Sequence, residues 1–282
     1  MELKGLLAAL FAASSLSLGL AQHQCGSVRP AREAVNAARA MRAARAEGLI
    51  ISTYLHVVES EAQAGFVTDQ MLADQKMKVL NETFAPHRIQ FVVKDVTHTV
   101  NDKWASVTRF REKDLALRQG NYDDLNIYFE TGLMTEGSVT GVCSWPVEDP
   151  VNTGINGTSW AVYDGCHVSP GGPGVPWIST EDNKGKTATH EVGHWLGLFH
   201  VFDGFSCTGD GDFIDDTPAT LSATVGCPVG QDSCPDQPGL DPIHNYMDYS
   251  SHDCLHEFTP LQEERMYRTF EALRKGRKFD LA

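Results

Sequence analysis

The stretch H-E-V-G-H-W-L-G-L-F-H, which runs from His190 to His200, decides the fold. His190 and His194 are four residues apart, so on a helix they lie on one face and can hold one zinc ion. Glu191 lies beside them, where it can reach a water molecule at the metal. Gly197 can end the helix in a conformation that is costly for other residues, and the chain then returns His200 as a third ligand. Three protein ligands leave a fourth position open, as in catalytic zinc sites.

The length of this pattern gives it its specificity. H-E-x-x-H alone fixes three positions, and such a His pair is often ordinary helix surface or core. The full stretch also fixes Gly197 and His200, and a chain of 282 residues offers few chances for all five to coincide. Further along, Met247 in N-Y-M-D-Y is either the methionine turn beneath such a site or a core methionine in a loop.

The stretch has the H-E-x-x-H-x-x-G-x-x-H signature of metzincin metallopeptidases. Its surroundings resemble the pappalysin family, especially the smaller secreted bacterial and fungal members. The resemblance is specific across about 185–270 and looser from about 48 to 184. It is carried by G-K-T-A-T-H-E-V-G-H-W-L-G-L-F-H (185–200), G-D-F-I-D-D-T-P-A (211–219), D-P-I-H-N-Y-M-D-Y-S (241–250) and C-L-H-E-F-T-P-L-Q-E-E-R-M (254–266).

The resemblance implies a zinc-dependent endopeptidase that acts on proteins or peptides. In this interpretation Glu191 is the general base that activates water, and no nucleophilic Ser or Cys is needed. Met247 is the residue of the methionine turn, and Tyr249, two residues later, helps to stabilise the reaction intermediate.

Length and charge limit the other possibilities. A chain of 282 residues suits one large domain or two small ones, and its net charge is −14. Such acidity argues against nucleic acid or an anionic membrane as a partner. We expect a monomer without a stable membrane anchor.

Residues 1–21 have the form of a secretory signal peptide. Lys4 precedes a mostly apolar run from Leu6 to Leu20, and small residues lie before a cleavage point after Ala21. The alternative is a membrane anchor, but the run is short for a spanning helix of about 20 apolar residues. We therefore expect a secreted, extracellular protein.

Seven cysteines fit an exported protein, and the odd number leaves one unpaired. Four of them follow the zinc stretch, and four cysteines allow three pairings between which sequence alone cannot choose. The resemblance implies Cys207–Cys234 and Cys227–Cys254. Cys143 and Cys166 are the candidates for a third disulfide, which leaves Cys25 as the odd cysteine.

Cys25 lies in residues 22–46, a predicted pro-segment. A thiolate is a good zinc ligand, so Cys25 would fill the open position and keep a precursor latent, as in metzincins with a cysteine switch. The alternatives are a free thiol or an intermolecular disulfide. A basic helix predicted at 29–45, with five Arg and one acid, either docks on the acidic body or is simply solvated.

The remaining residues, 47–282, are predicted to form a metzincin-like catalytic domain. Its N-terminal subdomain, about 47–197, is expected to be α/β (α+β) with a twisted, mostly parallel sheet, because predicted strands alternate with helices. The predicted elements are strands from Gly48 and at 89–96, 125–129 and 160–163, and an amphipathic helix at 67–83. The resemblance implies that the last strand borders the substrate cleft.

The C-terminal subdomain, about 198–282, is predicted to be irregular and held by disulfides and ions before a final helix. Between Asp203 and Asp253 there are ten Asp and no Lys or Arg. A dense group of hard oxygen ligands suits structural Ca²⁺, the alternative being a solvated acidic loop: Asp210, Asp212, Asp215, Asp216 and Thr217. Thr259 and Gln262 resemble the capping box of the final helix.

Two other classes of protein share parts of this pattern. One is a zinc amidase with a non-peptide substrate, and the other is a secreted binding module without catalysis. Glu191 argues against the second class, because a zinc scaffold does not need it. Within the protease interpretation, the acidic composition suggests the hypothesis that Arg or Lys is favoured in substrates. Asn81 and Asn156 begin sequons that would be glycosylated only in a eukaryotic host.

Overall fold

The computed structural model describes residues 48–106, 108, 110–133, 139–155, 157–171 and 184–279, and only the backbone of residues 24, 25, 139 and 155. The signal peptide, the basic helix at 29–45 and Asn156 therefore lie outside the described residues. The strands are β1 (Gln24–Cys25), β2 (Leu49–Glu59), β3 (Ile89–Val100), β4 (Leu125–Glu130), β5 (Val139–Cys143), β6 (Gly154–Ile155), β7 (Thr158–Ser159) and β8 (Cys166–Val168). The α-helices are α1 (Asp69–Met71), α2 (Lys78–Phe84), α3 (Asp102–Ser106), α4 (Arg111–Leu117), α5 (Lys186–Trp195) and α6 (Pro260–Thr269).

Within the described part of the chain, one sheet has the strand order β1-β5-β8-β4-β2-β3. The strands β3, β2, β4 and β8 run parallel, with Thr53 opposite Leu125 and Ile127 opposite Cys166. Strand β5 is antiparallel to β8 and pairs on its other side with the short strand β1. The predicted mostly parallel α/β sheet is therefore confirmed.

The first three predicted strands correspond to β2, β3 and β4. The predicted helix at 67–83 corresponds to a helical run from Asp69 to Phe84, in which a π-helical segment, Leu72–Met77, joins α1 to α2. Its apolar face is buried, as Leu72 and Leu80 show. The 3.6-residue periodicity therefore identified the element and its buried face, but not the wider turn in its middle.

The predicted strand at 160–163 is wrong. This segment forms turns, because the amides of Val162 and Tyr163 donate to carbonyls three residues earlier, and Trp160 donates to Thr153. Its apolar side chains are buried in the protein interior, although its backbone is not part of the sheet. The strands of this region are β5 and β8. Strand β5, and not a strand at 160–163, lies against helix α5 in the position that was expected for the strand bordering the cleft.

The main core lies between the sheet and α5. Helix α5 packs across β5 and β8 and against α2. From its apolar side Val192 and Trp195 enter the same cluster as Ile127 and Phe129 of β4. Burial of these large side chains, each contributing about 1.5–3 kcal/mol, fixes the helix relative to the sheet edge.

The chain from Val201 to Phe258 has neither helix nor regular strand. Disulfides Cys207–Cys234 and Cys227–Cys254 interlock across this segment, and a third disulfide, Cys143–Cys166, joins β5 to β8. All three pairings match those expected. The final helix α6 follows, with the predicted capping box formed by Thr259 and Gln262. Among the described residues, no helix has the length and apolar character needed to cross a membrane.

Candidate metal centre and active site

Three imidazoles converge at the end of α5. The Nε2 atom of His194 lies 3.2 Å from Nε2 of His190 and 3.2 Å from Nε2 of His200. His190 and His194 are one helical turn apart, and His200 follows the turn that ends the helix. All three residues are buried. The structure therefore brings together the three predicted zinc ligands.

The hydrogen bonds behind these rings decide which nitrogens face each other. Nδ1 of His190 donates to the carbonyl of Tyr246 at 2.7 Å, and Nδ1 of His194 donates to the carbonyl of Leu198 at 2.8 Å. Their Nε2 atoms therefore carry lone pairs and cannot donate to one another. Burial, reinforced by His200 and His190, holds the pKa of His194 well below its usual value, which favours the neutral ring. Buried imidazole lone pairs that converge in this way fit a bound cation such as Zn²⁺.

A second group of candidate metal ligands cannot bind a metal ion through its cysteines. Among the described residues, Cys227, His244 and Cys254 also place three ligand atoms near one another. The two cysteines, however, form a disulfide, so they offer no thiolate. The histidine triad is the candidate metal centre.

Glu191 lies between the zinc helix and strand β5. A Cβ on Gly141 would lie 2.5 Å from Oε1 of Glu191, so only a glycine at this strand position allows so close an approach. Glu191 is nearly fully buried. The side chain is therefore held at the rim of the site, one residue along the helix from His190.

Two glycines let other elements close around the helix. A Cβ on Gly193 would lie 2.5 Å from Sδ of Met247, so the methionine packs closely against α5 next to His194, and its role in a methionine turn stays a prediction. Gly197 has φ 94° and lies against Thr269 of α6, where a Cβ would be 2.6 Å from Cγ2. Helix α5 ends at Trp195 just before it, which matches the predicted role of Gly197.

Tyr249 faces the metal centre. Its hydroxyl lies 3.2 Å from Nε2 of His200, and its ring contacts His190 and Phe202. Phe202 in turn stacks on His200, with ring centroids 4.8 Å apart. A phenol so placed can donate a hydrogen bond to an oxygen that gains negative charge in the site.

A buried ionic centre, which the sequence analysis did not find, fixes the end of α5. Asp164 accepts hydrogen bonds from both terminal nitrogens of Arg274 at 3.0 Å and from Trp195 Nε1 at 3.3 Å. Arg274 also donates through Nε to the carbonyl of Trp195, the last residue of the helix, and its guanidinium lies over the Trp195 ring. Both charged residues are fully buried. This centre thus anchors the residue next to the ligand His194.

The predicted calcium residues have mixed roles. Both carboxylate oxygens of Asp212 accept from the hydroxyl of Thr217, and burial raises the pKa of Asp212 to about 7. Asp216 accepts from the hydroxyl of Thr259 and the amide of Leu261, at the start of α6. Among the described residues, this loop does not gather three acidic ligand atoms around one point. The structure thus brings Asp212 to Thr217 but does not assemble the predicted set with Asp210 and Asp215.

The sequence profile of the M43 peptidase family, described as pregnancy-associated plasma protein-A, matches residues 113–271. An extracellular metalloprotease of Pyricularia oryzae is 43% identical over 97% of this chain and 98% of its own length. The structure resembles a mutant of Tannerella forsythia promirolysin, with a TM-score of 0.64 and 27% identity over 85% of this chain and 86% of that one. It also resembles Tannerella forsythia mature mirolysin in complex with a cleaved peptide, with a TM-score of 0.59 and 27% identity over 81% of this chain and 96% of that one. With a profile match over more than half of its length and a relative aligned over nearly all of it, the chain belongs to the M43 family, a family of zinc metalloendopeptidases.

Proposed function

We propose that this chain is a secreted zinc endopeptidase made as a latent precursor, with residues 1–21 as signal peptide, 22–46 as pro-segment and 47–282 as catalytic domain. The observation that carries the proposal is the convergence of His190, His194 and His200 beside Glu191. Three converging imidazoles with an adjacent carboxylate suit hydrolysis by an activated water.

In the proposed mechanism His190, His194 and His200 would hold Zn²⁺, which would supply Lewis acidity and lower the pKa of a water molecule toward neutrality. Glu191 takes the proton from the attacking water and delivers it to the amine that leaves. Tyr249 donates its hydroxyl hydrogen to the oxygen that becomes negative as the carbonyl is attacked. The backbone carbonyls behind His190 and His194 keep both rings in the tautomer that a metal requires.

An extended substrate would bind along β5. In the part of the chain that the structure describes, the outer side of β5 pairs with the two residues of β1. If the pro-segment is removed, the amides and carbonyls of β5 become an open edge next to Glu191, and a peptide can satisfy them by pairing as a strand. The similarity to mature mirolysin, solved in complex with a cleaved peptide, supports this proposal.

The pairing of β1 supports latency through Cys25. The backbone of Cys25 pairs with Gly141, the glycine that approaches Glu191. The backbone of Gln24 and Cys25 thus lies along β5, in the place proposed for substrate. We propose that the Cys25 thiolate acts as a fourth zinc ligand in the precursor, because thiolates bind zinc well.

Replacement of Cys25 by serine in the full-length precursor is expected to raise its activity before any processing, because a neutral hydroxyl is a much weaker zinc ligand than a thiolate. Casein cleavage by the intact precursor, whose length is checked by mass spectrometry, measures this effect. Ser27→Ala in the same segment is the control and should stay as latent as the unchanged precursor. Equal latency of the Cys25→Ser precursor would remove the switch from the proposal.

Tyr249→Phe is expected to lower kcat by about 10-fold to 100-fold and to change KM little, since the lost hydrogen bond forms fully only as the oxygen becomes charged. Steady-state kinetics on a peptide substrate measure the two constants separately. Phe202→Leu, which changes a neighbouring ring without a donor, serves as the control for packing. An unchanged kcat in the Tyr249→Phe variant would exclude Tyr249 from the mechanism.

We propose Ca²⁺ as a structural ion of the acidic segment that includes Asp210 and Asp215, supported by its density of carboxylates and its lack of regular structure. Addition of Ca²⁺ to zinc-loaded protein should then raise Tm by several degrees, by preferential binding to the folded state. A calcium-selective chelator should reverse the shift. A Tm that does not respond to Ca²⁺ would leave the disulfides and the Asp216 contacts as the supports of this segment.

The proposed activity is tested with unfolded casein and the processed protein. Internal cleavage, seen as new peptide N-termini by mass spectrometry, is expected and should stop with a zinc chelator. A small non-peptide amide assayed beside it tests the amidase alternative. Hydrolysis of the amide without cleavage of casein or of a peptide library would overturn the endopeptidase proposal.

A further inference from the structure

The three candidate metal ligands differ in what lies behind their rings. His190 and His194 each donate through Nδ1 to a backbone carbonyl. Among the described residues, no carbonyl accepts a hydrogen bond from Nδ1 of His200, which instead lies 3.7 Å from Oδ1 of Asp203. The third ligand is therefore the one whose ring faces a carboxylate.

The orientation of the His200 ring decides which of its nitrogens needs an acceptor. Its Nε2 lies 3.2 Å from Nε2 of His194 and 3.2 Å from the hydroxyl of Tyr249, so this nitrogen faces the metal centre. A neutral imidazole that offers a lone pair at Nε2 carries its proton on Nδ1. The Nδ1 hydrogen of His200 thus points away from the centre, toward Asp203.

The backbone fixes Asp203 at this place. The amide of Asp203 donates to the carbonyl of His200 at 3.1 Å, which closes a tight turn and brings the carboxylate back to the ring. Within this turn the amide of Val201 donates to the carbonyl of Met247 at 3.3 Å, and the ring of Phe202 stacks on His200 with an interplanar angle of 8°. The carboxylate and the ring are therefore held as neighbours by the chain itself.

The carboxylate of Asp203 is engaged by His200 and by no other charged partner among the described residues. Its side chain is only 15% exposed, and a carboxylate removed from water is costly unless a positive charge or a donor compensates it. The nearest acid, Asp212, gives no compensation: burial first, and the charge of Asp203 in addition, raises the pKa of Asp212 to about 7. A cation bound by His200 would supply the missing positive charge through the ring.

We propose that Asp203 is a positioning residue of the metal centre, whose carboxylate accepts the Nδ1 hydrogen of His200 when the metal is bound. The separation of 3.7 Å exceeds a hydrogen bond of about 2.7–3.2 Å, and a small rotation of the carboxylate closes it. The contact fixes the ring with Nε2 toward the metal and makes that nitrogen a stronger ligand. This inference rests on the proposed function, since it requires that the three histidines hold zinc.

The first test is the zinc affinity of the processed protein, measured by competition with a chelator. Asp203→Ala should weaken zinc binding by about 10-fold to 100-fold, the usual effect of losing such a partner. Asp203→Asn keeps an acceptor oxygen without the charge, so its loss should be smaller but measurable. Asp236→Asn removes the same charge from an exposed position of the same acidic segment and should keep the affinity of the unchanged protein.

The second test observes the ring hydrogens directly. In protein loaded with Co²⁺ in place of Zn²⁺, the paramagnetic ion shifts the NMR signals of the ligand N–H hydrogens away from all others. The unchanged protein should show three such signals. Asp203→Ala should lose one of them through rapid exchange with water, whereas the signals of His190 and His194, which donate to carbonyls, should remain. A purely structural role of Asp203 would not remove one signal selectively.

The Tm of each variant shows whether it is folded. Zinc affinity equal to that of Asp236→Asn in folded Asp203→Ala protein would overturn the inference, as would three unchanged N–H signals. If Asp203→Ala does not fold, Asp203→Asn decides in its place, and an affinity equal to that of the control would overturn the inference. These results would leave the peptidase function intact. Zinc-loaded protein that cleaves neither casein nor a peptide library would instead contradict the proposed function, whatever the role of Asp203.

Discussion

Replacement of Glu191 by alanine is expected to lower kcat by about 100-fold to 10,000-fold, the usual contribution of a general base. Zinc should remain bound, because the three imidazoles and the carbonyls behind two of them are unchanged. The side chain faces Gly141, so its removal leaves space at the rim of the site.

Casein cleavage and zinc content, measured on the same preparation, separate loss of the base from loss of the metal. Glu82→Ala is a suitable control, since the side chain of Glu82 is exposed on α2 and pairs with Lys78. It should keep both activity and zinc. Substantial turnover by the Glu191→Ala protein would mean that another group accepts the proton.

Arg274→Met is expected to reduce the free energy of unfolding by about 3–5 kcal/mol, since removal of one partner leaves a buried charge uncompensated. Asp164 would lose two hydrogen bonds, and the carbonyl of Trp195 would lose its donor. Arg118, 3.5 Å from Asp164, replaces only part of this charge. Zinc affinity should fall as well, because Trp195 follows the ligand His194.

Chemical denaturation followed by tryptophan fluorescence measures the loss of stability, and competition with a chelator measures zinc affinity. Lys275→Met is the matched control, because this neighbouring residue is exposed and pairs with Glu271. Its unfolding midpoint should change little. If Arg274→Met unfolds at the same denaturant concentration as Lys275→Met, the buried centre does not hold the end of α5.

The metal centre was largely predictable from the sequence because its residues are close along the chain. The spacing of His190 and His194 on one helical face, and the return of His200 after Gly197, follow from local geometry. Met247 and Tyr249 are far from this stretch in sequence, and only the resemblance to a family placed them beneath and beside it.

Contacts between distant strands and helices were not predictable in this way. Gly141 matters because of its approach to Glu191, and nothing in the residues around Gly141 indicates that neighbour. Asp164 and Arg274 are 110 residues apart, so no local pattern joins them. The strand predicted at 160–163 was wrong for a related reason. Four consecutive apolar residues are compatible with a buried turn as well as with a buried strand, and the local sequence does not distinguish the two.

The central claim is that one zinc ion on the three histidines is required for peptide hydrolysis. The most direct measurement is to strip the processed protein of metal, return Zn²⁺ in steps and record casein cleavage against bound zinc. Activity should be absent in the stripped protein, rise in proportion to zinc and level off at one ion per chain, and His194→Ala protein should not recover. Full cleavage without zinc, or recovery of the His194→Ala protein to the same level, would contradict the account.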